Sequence, residues 1–144
     1  IYYNLLNPSA GRDMPPGWTA YDQKNLIGKA QETGTAVFVI RVLAAGVIAS
    51  DMRTGKEGGV VLKNDVATDE ERMKKVLPLL KPEHGHRAQV AIRYALRHPG
   101  VSGIEVGIAE LEHLQLAIRA AEMGPLPDEL YAELDTLADS NFGL

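Results

Sequence analysis

Apolar positions along this chain fall into short runs and helical stripes separated by Gly- and Pro-marked breaks. The most informative stretch spans residues 35–50, TAVFVIRVLAAGVIAS. Ala36, Val37, Phe38, Val39 and Ile40 form a continuous apolar run, the pattern of a parallel strand covered on both faces. Arg41 follows, and then Leu43, Ala44, Ala45 and Gly46, small residues that let a ligand approach the backbone where the strand ends. Parallel sheets and barrels bind their ligands at the carboxyl ends of the strands, so candidate chemistry centres on residues 41–46.

The rest of the chain supplies the crossovers that a parallel strand needs. Residues 1–6 read as a strand, ended by the turn signals Asn7-Pro8 and Gly11. After a loop through Pro15, Pro16 and Gly17, Thr19 or Asp22 is placed to cap a helix with Leu26, Ile27 and Ala30 on one face and Gly34 at its end. Residues 50–59 carry Gly55-Lys56 and Gly58-Gly59 without the spacing of a phosphate loop, and read as surface loop. Thr68 to Glu71 form a capping box before a stripe of Met73, Val76, Leu77 and Leu80, with the charged run 69–72 expected in solvent. Residues 87–98 form a helix with Val90, Ala91, Tyr94 and Ala95 inward, stopped by Pro99-Gly100. A strand at 101–107 leads to a helix at 110–122 whose inward positions are Leu111, Leu114, Ile118 and Ala121, ended by Gly124. Pro127 suits N1 of a last helix bearing Leu130, Leu134 and Leu137.

The pattern therefore predicts an α/β fold: about three parallel strands alternating with helices, plus a C-terminal helix, in one unit over residues 1–144. Three strands cannot close a barrel, so some edge must be covered by a segment outside this sequence. The opening residues Ile1 to Leu6, strand-like and without Met, point the same way, and the chain is expected to be part of something larger.

Composition narrows the function classes. A formal net charge of −4 with no basic stripe argues against a nucleic-acid partner. Without cysteine there are no disulfides and no thiolate nucleophiles or metal ligands, a composition that suits a cytoplasmic protein. The apolar stretch 36–49 is interrupted by Arg41 and too short to span a bilayer, so no membrane association is expected.

Four segments together carry a family resemblance: YNLLN at 3–7, VLAAG at 42–46, AIRYALRHPGVSGIEVGIAELEHL at 91–114 and PLPDELYAELD at 125–135. In this order and spacing they resemble the C-terminal part of aldo-keto reductases. The resemblance implies a partial (β/α)8 TIM-type barrel with the sixth, seventh and eighth strands in this chain. It implies reduction of small aldehydes or ketones by hydride transfer from NADP or NAD in its reduced form. The family's catalytic Asp, Tyr, Lys and His lie in earlier strands, so this chain alone is expected to be inactive and to contribute cofactor-binding surface. A family Gln that binds the nicotinamide amide would fall just before Ile1, and Tyr3 would line that site.

On the seventh strand the resemblance aligns Ile40, Arg41, Val42 and Leu43 with a stacking aromatic and a Ser-Pro-Leu turn. Arg41, Leu43, Ala44 and Gly46 thereby become candidate cofactor contacts, with the Arg41 guanidinium lying on a ring or pairing with phosphate oxygens. On the eighth strand Gly107, Ile108 and Ala109 lead into a helix N-terminus, a natural anion site, and His113 stands near the adenine. Ala109 occupies the place of the Arg that commonly holds the 2′-phosphate, so only a weak preference for NADP is expected.

Each candidate has a plainer reading. Arg41 would otherwise pair with an acidic group on a neighbouring strand, and Glu105 would pair or cap rather than act as an acid. Tyr2, alternating with Tyr3, should pack against helices. His84 and His86 lack a third ligand for a metal. The whole chain would otherwise be a non-catalytic assembly module whose open edges pair with a second copy or another chain.

Overall fold

The computed structural model describes residues 1–53, 55 and 66–144. Its elements run α1 (Leu26–Glu32), β1 (Phe38–Val39), α2 (Val66–Val76), α3 (Arg87–Arg97), β2 (Gly103–Ile104), α4 (Leu111–Glu122) and α5 (Asp128–Asp139). Short 3-10 turns at Ala44–Gly46, Leu77–Leu79, Pro82–His84 and Asn141–Gly143 complete the order.

Among the described residues the sheet has two strands rather than three. β1 and β2 pair in parallel, with Phe38 opposite Gly103 and Val39 opposite Ile104. The opening segment joins β1 through a single parallel bridge, Tyr2 to Ile40. It ends early because Asn4 and Asn7 exchange backbone hydrogen bonds (Asn7 N to Asn4 O, 3.1 Å) and the Asn4 side chain accepts from Leu6 N and Asn7 N. An asparagine that satisfies the backbone two and three residues on starts a turn in place of a ladder. The turn expected at residue 7 therefore begins at residue 4.

The central run is not covered on both faces as its composition suggests. Val37 and Val39 are buried at 3% and 0% exposure, whereas Phe38 and Ile40 are 57% and 39% exposed. One face of the sheet packs on helices; the other is open. The Phe38 ring lies over Gly103, where a Cβ would sit 2.8 Å from the ring, so the close cross-strand approach requires glycine.

The helical reading holds best for α3, which buries Val90, Ala91, Tyr94 and Ala95 as expected. Gly34 and Gly124 follow α1 and α4 with φ of 67° and 74°, the left-handed conformation of helix C-termini. Three helix starts differ. Asn25, not Thr19 or Asp22, caps α1, its Oδ1 accepting from Gly28 N. α2 begins at Val66, so residues 68–71 lie inside the helix rather than at its start, and Pro127 is the N-cap of α5 rather than N1. The charged run at 69–72 is not a solvated cap, because Asp69 and Arg72 are 5% and 1% exposed.

α4 departs most from its amphipathic pattern. Leu111, Leu114 and Ile118 are 65%, 43% and 51% exposed, and Ala121 is exposed as well. α4 packs on α3 through the flank carrying Leu116, Ala117 and buried Ala120. Its most apolar stripe thus faces away from the rest of the chain, like the outer face of Phe38 and Ile40.

His86 caps α3 reciprocally: its Nδ1 accepts from Ala88 N at 3.2 Å and its backbone N–H donates to Gln89 Oε1 at 2.9 Å. Burial, and then the neighbouring Arg87, push its pKa below the ordinary histidine value. Folded-state depression favours the neutral ring, so the cap is intact above about pH 6.5 and is lost as pH falls below it. The ring is solvent-screened, so the loss is modest, about 0.5–1 kcal/mol on the scale of a helix cap. Urea unfolding at pH 7.5 and 5.5 should show a larger acid-induced drop in the wild type than in His86→Asn, whose amide caps at both values.

Candidate functional site

The parallel pairing brings the expected site segments to one end of the molecule. With Tyr2 beside Ile40 and Val39 beside Ile104, the chain leaves all three neighbouring segments at their carboxyl ends around Tyr3, Arg41 and Val106. The turn 41–46 and the segment 107–109 extend from that shared edge.

The turn is held in an unusual backbone. Arg41, Ala44 and Ala45 have φ of 60°, 46° and 57°, left-handed values at three non-glycine residues, and Gly46 has φ 94°. Such conformations cost about 1–3 kcal/mol each and persist only where the surroundings enforce them. Here the Arg41 carbonyl accepts from Ala44 N at 2.9 Å and from Asn4 Nδ2 at 2.8 Å, and the Leu43 carbonyl accepts from Gly46 N at 2.9 Å. Val42, Ala44, Val47 and Ile48 are buried beneath the turn, which anchors it on the core. Leu43 and Gly46 are half-buried at its surface.

Arg41 itself is half-buried, and its Nε is a buried donor with no hydrogen-bond partner among the described residues. Among the described residues it makes no ion pair, so the structural alternative of an acidic partner on a neighbouring strand is not realised there. A buried, unsatisfied guanidinium nitrogen costs free energy unless an acceptor arrives. Glu105, exposed at the end of β2, uses its backbone N–H on Val39 O at 2.8 Å.

Gly107, Ile108 and Ala109 are exposed and lead directly into α4. The helix N-cap, Glu110, makes no side-chain capping bond, so the first amides of α4 are not capped by a carboxylate, while Glu112 places an acid in the first turn. His113 is exposed on that turn.

Tyr3 is not presented to this edge. It is 1% exposed, stacked on Tyr94 at 5.7 Å between ring centroids and edge-on to His98 at 5.7 Å. Tyr2, bridged to Ile40, is buried as well at 6% exposure, so both tyrosines of the opening segment are interior and Tyr3 stands among the α3 and α5 aromatics. Burial pushes the Tyr3 and Tyr94 hydroxyls well above the usual phenol range, and the two belong to an aromatic core continued by Tyr131, 5.1 Å from Tyr94. Tyr3 meets the candidate site only through its backbone, whose N–H donates to Ile40 O.

Two polar residues at or near this edge escape a pattern reading. Asn4, fully buried, holds the Arg41 carbonyl. Arg72 donates to Leu6 O, Thr19 Oγ1 and Asn141 Oδ1 and lies 4.6 Å from the Trp18 ring centroid and 5.3 Å from that of Phe142. The only signal for Arg72 is its place beside Met73 and four residues before Val76, on the buried stripe of α2. No cluster of three His, Asp or Glu able to hold a metal occurs among the described residues. Lys56, Gly58 and Gly59 of the expected loop lie outside the described residues.

This arrangement, parallel strands alternating with helices and a polar edge at the strands' carboxyl ends, is that of a TIM-type barrel segment. A family model for the aldo/keto reductase family matches residues 4–139, and the chain belongs to that family. Among solved structures, the aldo-keto reductase AKR11C1 from Bacillus halodurans is similar in both its holo and apo forms, each with a TM-score of 0.66 at 19% identity. Each alignment covers 95% of this chain and 41% of the other, so the chain spans less than half the length of that reductase. No curated protein sequence matches the chain. No helix among the described residues is long and apolar enough to cross a membrane.

Proposed function

We propose that this chain supplies the cofactor wall of an NAD(P)H-dependent carbonyl reductase, with Arg41, Leu43, Ala44 and Gly46 on one side and Gly107, Ile108, Ala109 and His113 on the other. The observation that carries the reading is the buried Nε of Arg41 at the strands' carboxyl ends, partnerless among the described residues, in a chain of the aldo/keto reductase family. A phosphate oxygen or an aromatic ring is the partner that a guanidinium in that position lacks. The nicotinamide nucleotide, when bound, supplies a hydride to a small aldehyde or ketone. Arg41 would bind and orient it, the turn 41–46 would give it close backbone approach, and the buried residues beneath that turn would keep water from below. The residues that handle the proton belong to strands this chain does not contain, and those strands would cover Phe38, Ile40 and the Leu111, Leu114, Ile118 stripe. A cytoplasmic setting goes with this reading.

Cofactor choice tests the eighth-strand side. A 2′-phosphate adds close to two negative charges, and recognising it takes a dedicated cation worth roughly 1.5–3 kcal/mol per charge-assisted bond. Ala109 offers none, the α4 N-terminus contributes about 0.3–1 kcal/mol, and Glu110 and Glu112 oppose it. Arg53 is already engaged, by Glu70 at 2.6 Å and by the Ser50 and Met52 carbonyls. The protein that carries this chain is therefore expected to prefer NADPH over NADH by less than about tenfold, ~1.4 kcal/mol. Fluorescence titration of both nucleotides at matched salt checks it; a hundredfold preference contradicts it.

A second reading, a barrel module that assembles with another copy, rests on the exposed apolar faces of β1 and α4. It requires the 144-residue chain to self-associate at micromolar concentration. A well-folded monomer in light scattering contradicts it.

A further inference from the structure

Asn4 is fully buried, and its side-chain amide bonds the backbone around the candidate site. Its Nδ2 donates to the Arg41 carbonyl at 2.8 Å, and its Oδ1 accepts from Leu6 N at 2.9 Å and Asn7 N at 3.0 Å. The acceptor carbonyl belongs to a residue at φ 60°, a conformation that a non-glycine residue leaves unless held. The same carbonyl takes the Ala44 N–H that closes the turn. The peptide plane after Arg41 is thus fixed by two donors, one local and one reaching across from the opening segment.

Fixing that plane fixes the direction in which the Arg41 side chain leaves the backbone. We infer that Asn4 is a positioning residue: it locks the left-handed Arg41 so that its guanidinium is presented to the nucleotide. The inference rests on the reading of Arg41 as a nucleotide contact. Asn4 touches no ligand itself and acts only through Arg41, so its contribution to binding vanishes when the guanidinium is gone.

A double-mutant cycle on the protein that carries this chain tests this, with NADPH affinity by fluorescence titration and thermal midpoint as readouts. Asn4→Asp keeps both acceptor bonds of the turn and removes the donor to Arg41. With Arg41 present it should weaken NADPH by about two- to tenfold, the effect of one hydrogen bond. In an Arg41→Met background it should leave affinity unchanged within about 1.5-fold, although the thermal midpoint falls equally in both backgrounds. Equal affinity losses in both backgrounds would assign Asn4 a merely structural role and overturn the inference. An Arg41→Met protein that binds NADPH as tightly as the wild type would overturn it too, by removing the site reading beneath it. Should Asn4→Asp fail to fold, Asn4→Ser, whose shorter hydroxyl falls short of the Arg41 carbonyl and adds no charge, goes through the same cycle with the same expected and overturning results.

Discussion

Replacing the buried Arg72 with alanine is expected to destabilise the 144-residue chain by about 3–5 kcal/mol. Three costs combine. Truncation leaves the buried Leu6 carbonyl without its side-chain donor, which costs about 1–3 kcal/mol, while Asn141 Oδ1 keeps the Thr19 N–H and Oγ1–H and the exposed Thr19 hydroxyl turns to water. Its contacts over the Trp18 and Phe142 rings are worth about 0.5–2 kcal/mol when desolvated. The truncated side chain also leaves a cavity between segments far apart in sequence. Offsetting these is the desolvation of the guanidinium, which pushes the Arg72 pKa down and is relieved by mutation, so the sum lies below the simple total. Arg72→Met fills most of the volume and should cost less than Arg72→Ala, with the orphaned Leu6 carbonyl as the remainder. Urea denaturation midpoints decide it; a loss below about 1 kcal/mol for Arg72→Ala would show that the contacts are mutually compensated.

At Arg41 stability and binding are expected to move in opposite directions. Arg41→Gly relieves a left-handed φ of 60°, which favours the folded chain by up to about 1 kcal/mol before the larger backbone entropy of glycine is counted. The same change removes a charge-assisted contact worth roughly 1.5–3 kcal/mol, so NADPH should bind about ten- to a hundredfold more weakly. Arg41→Met, which keeps the β-carbon and the strain, should lose affinity comparably without the gain in stability. A purely structural arginine predicts the opposite: both variants destabilised and affinity unchanged.

The part of the fold legible in the sequence is the part completed within the chain. α3 is buried throughout residues 88–95, which include the expected Val90, Ala91, Tyr94 and Ala95. The 36–40 run and the α4 stripe were readable as apolar but not as exposed, because burial depends on a partner and the pattern carries no record of which partner is present. The strand end at Asn4 was hidden because asparagine is a turn former only when its side chain finds nearby amides, a fact of geometry rather than of spacing. Alternation along the opening segment does not separate Tyr2 from Tyr3, because both are buried at 6% and 1% exposure. The position of the candidate site was legible, because parallel strands deliver their carboxyl ends to one edge whatever their length. What fixes Arg41 there was not, for Asn4 and the left-handed backbone leave no motif.

Amide hydrogen exchange of the protein that carries this chain, with and without saturating NADPH, tests the central claim most directly. Within residues 1–144, slowed exchange confined to 41–46 and 107–113 is the predicted result, since the nucleotide would cover both turns at the strands' carboxyl ends. Saturated binding with unchanged exchange in both segments would contradict it and place the nucleotide elsewhere.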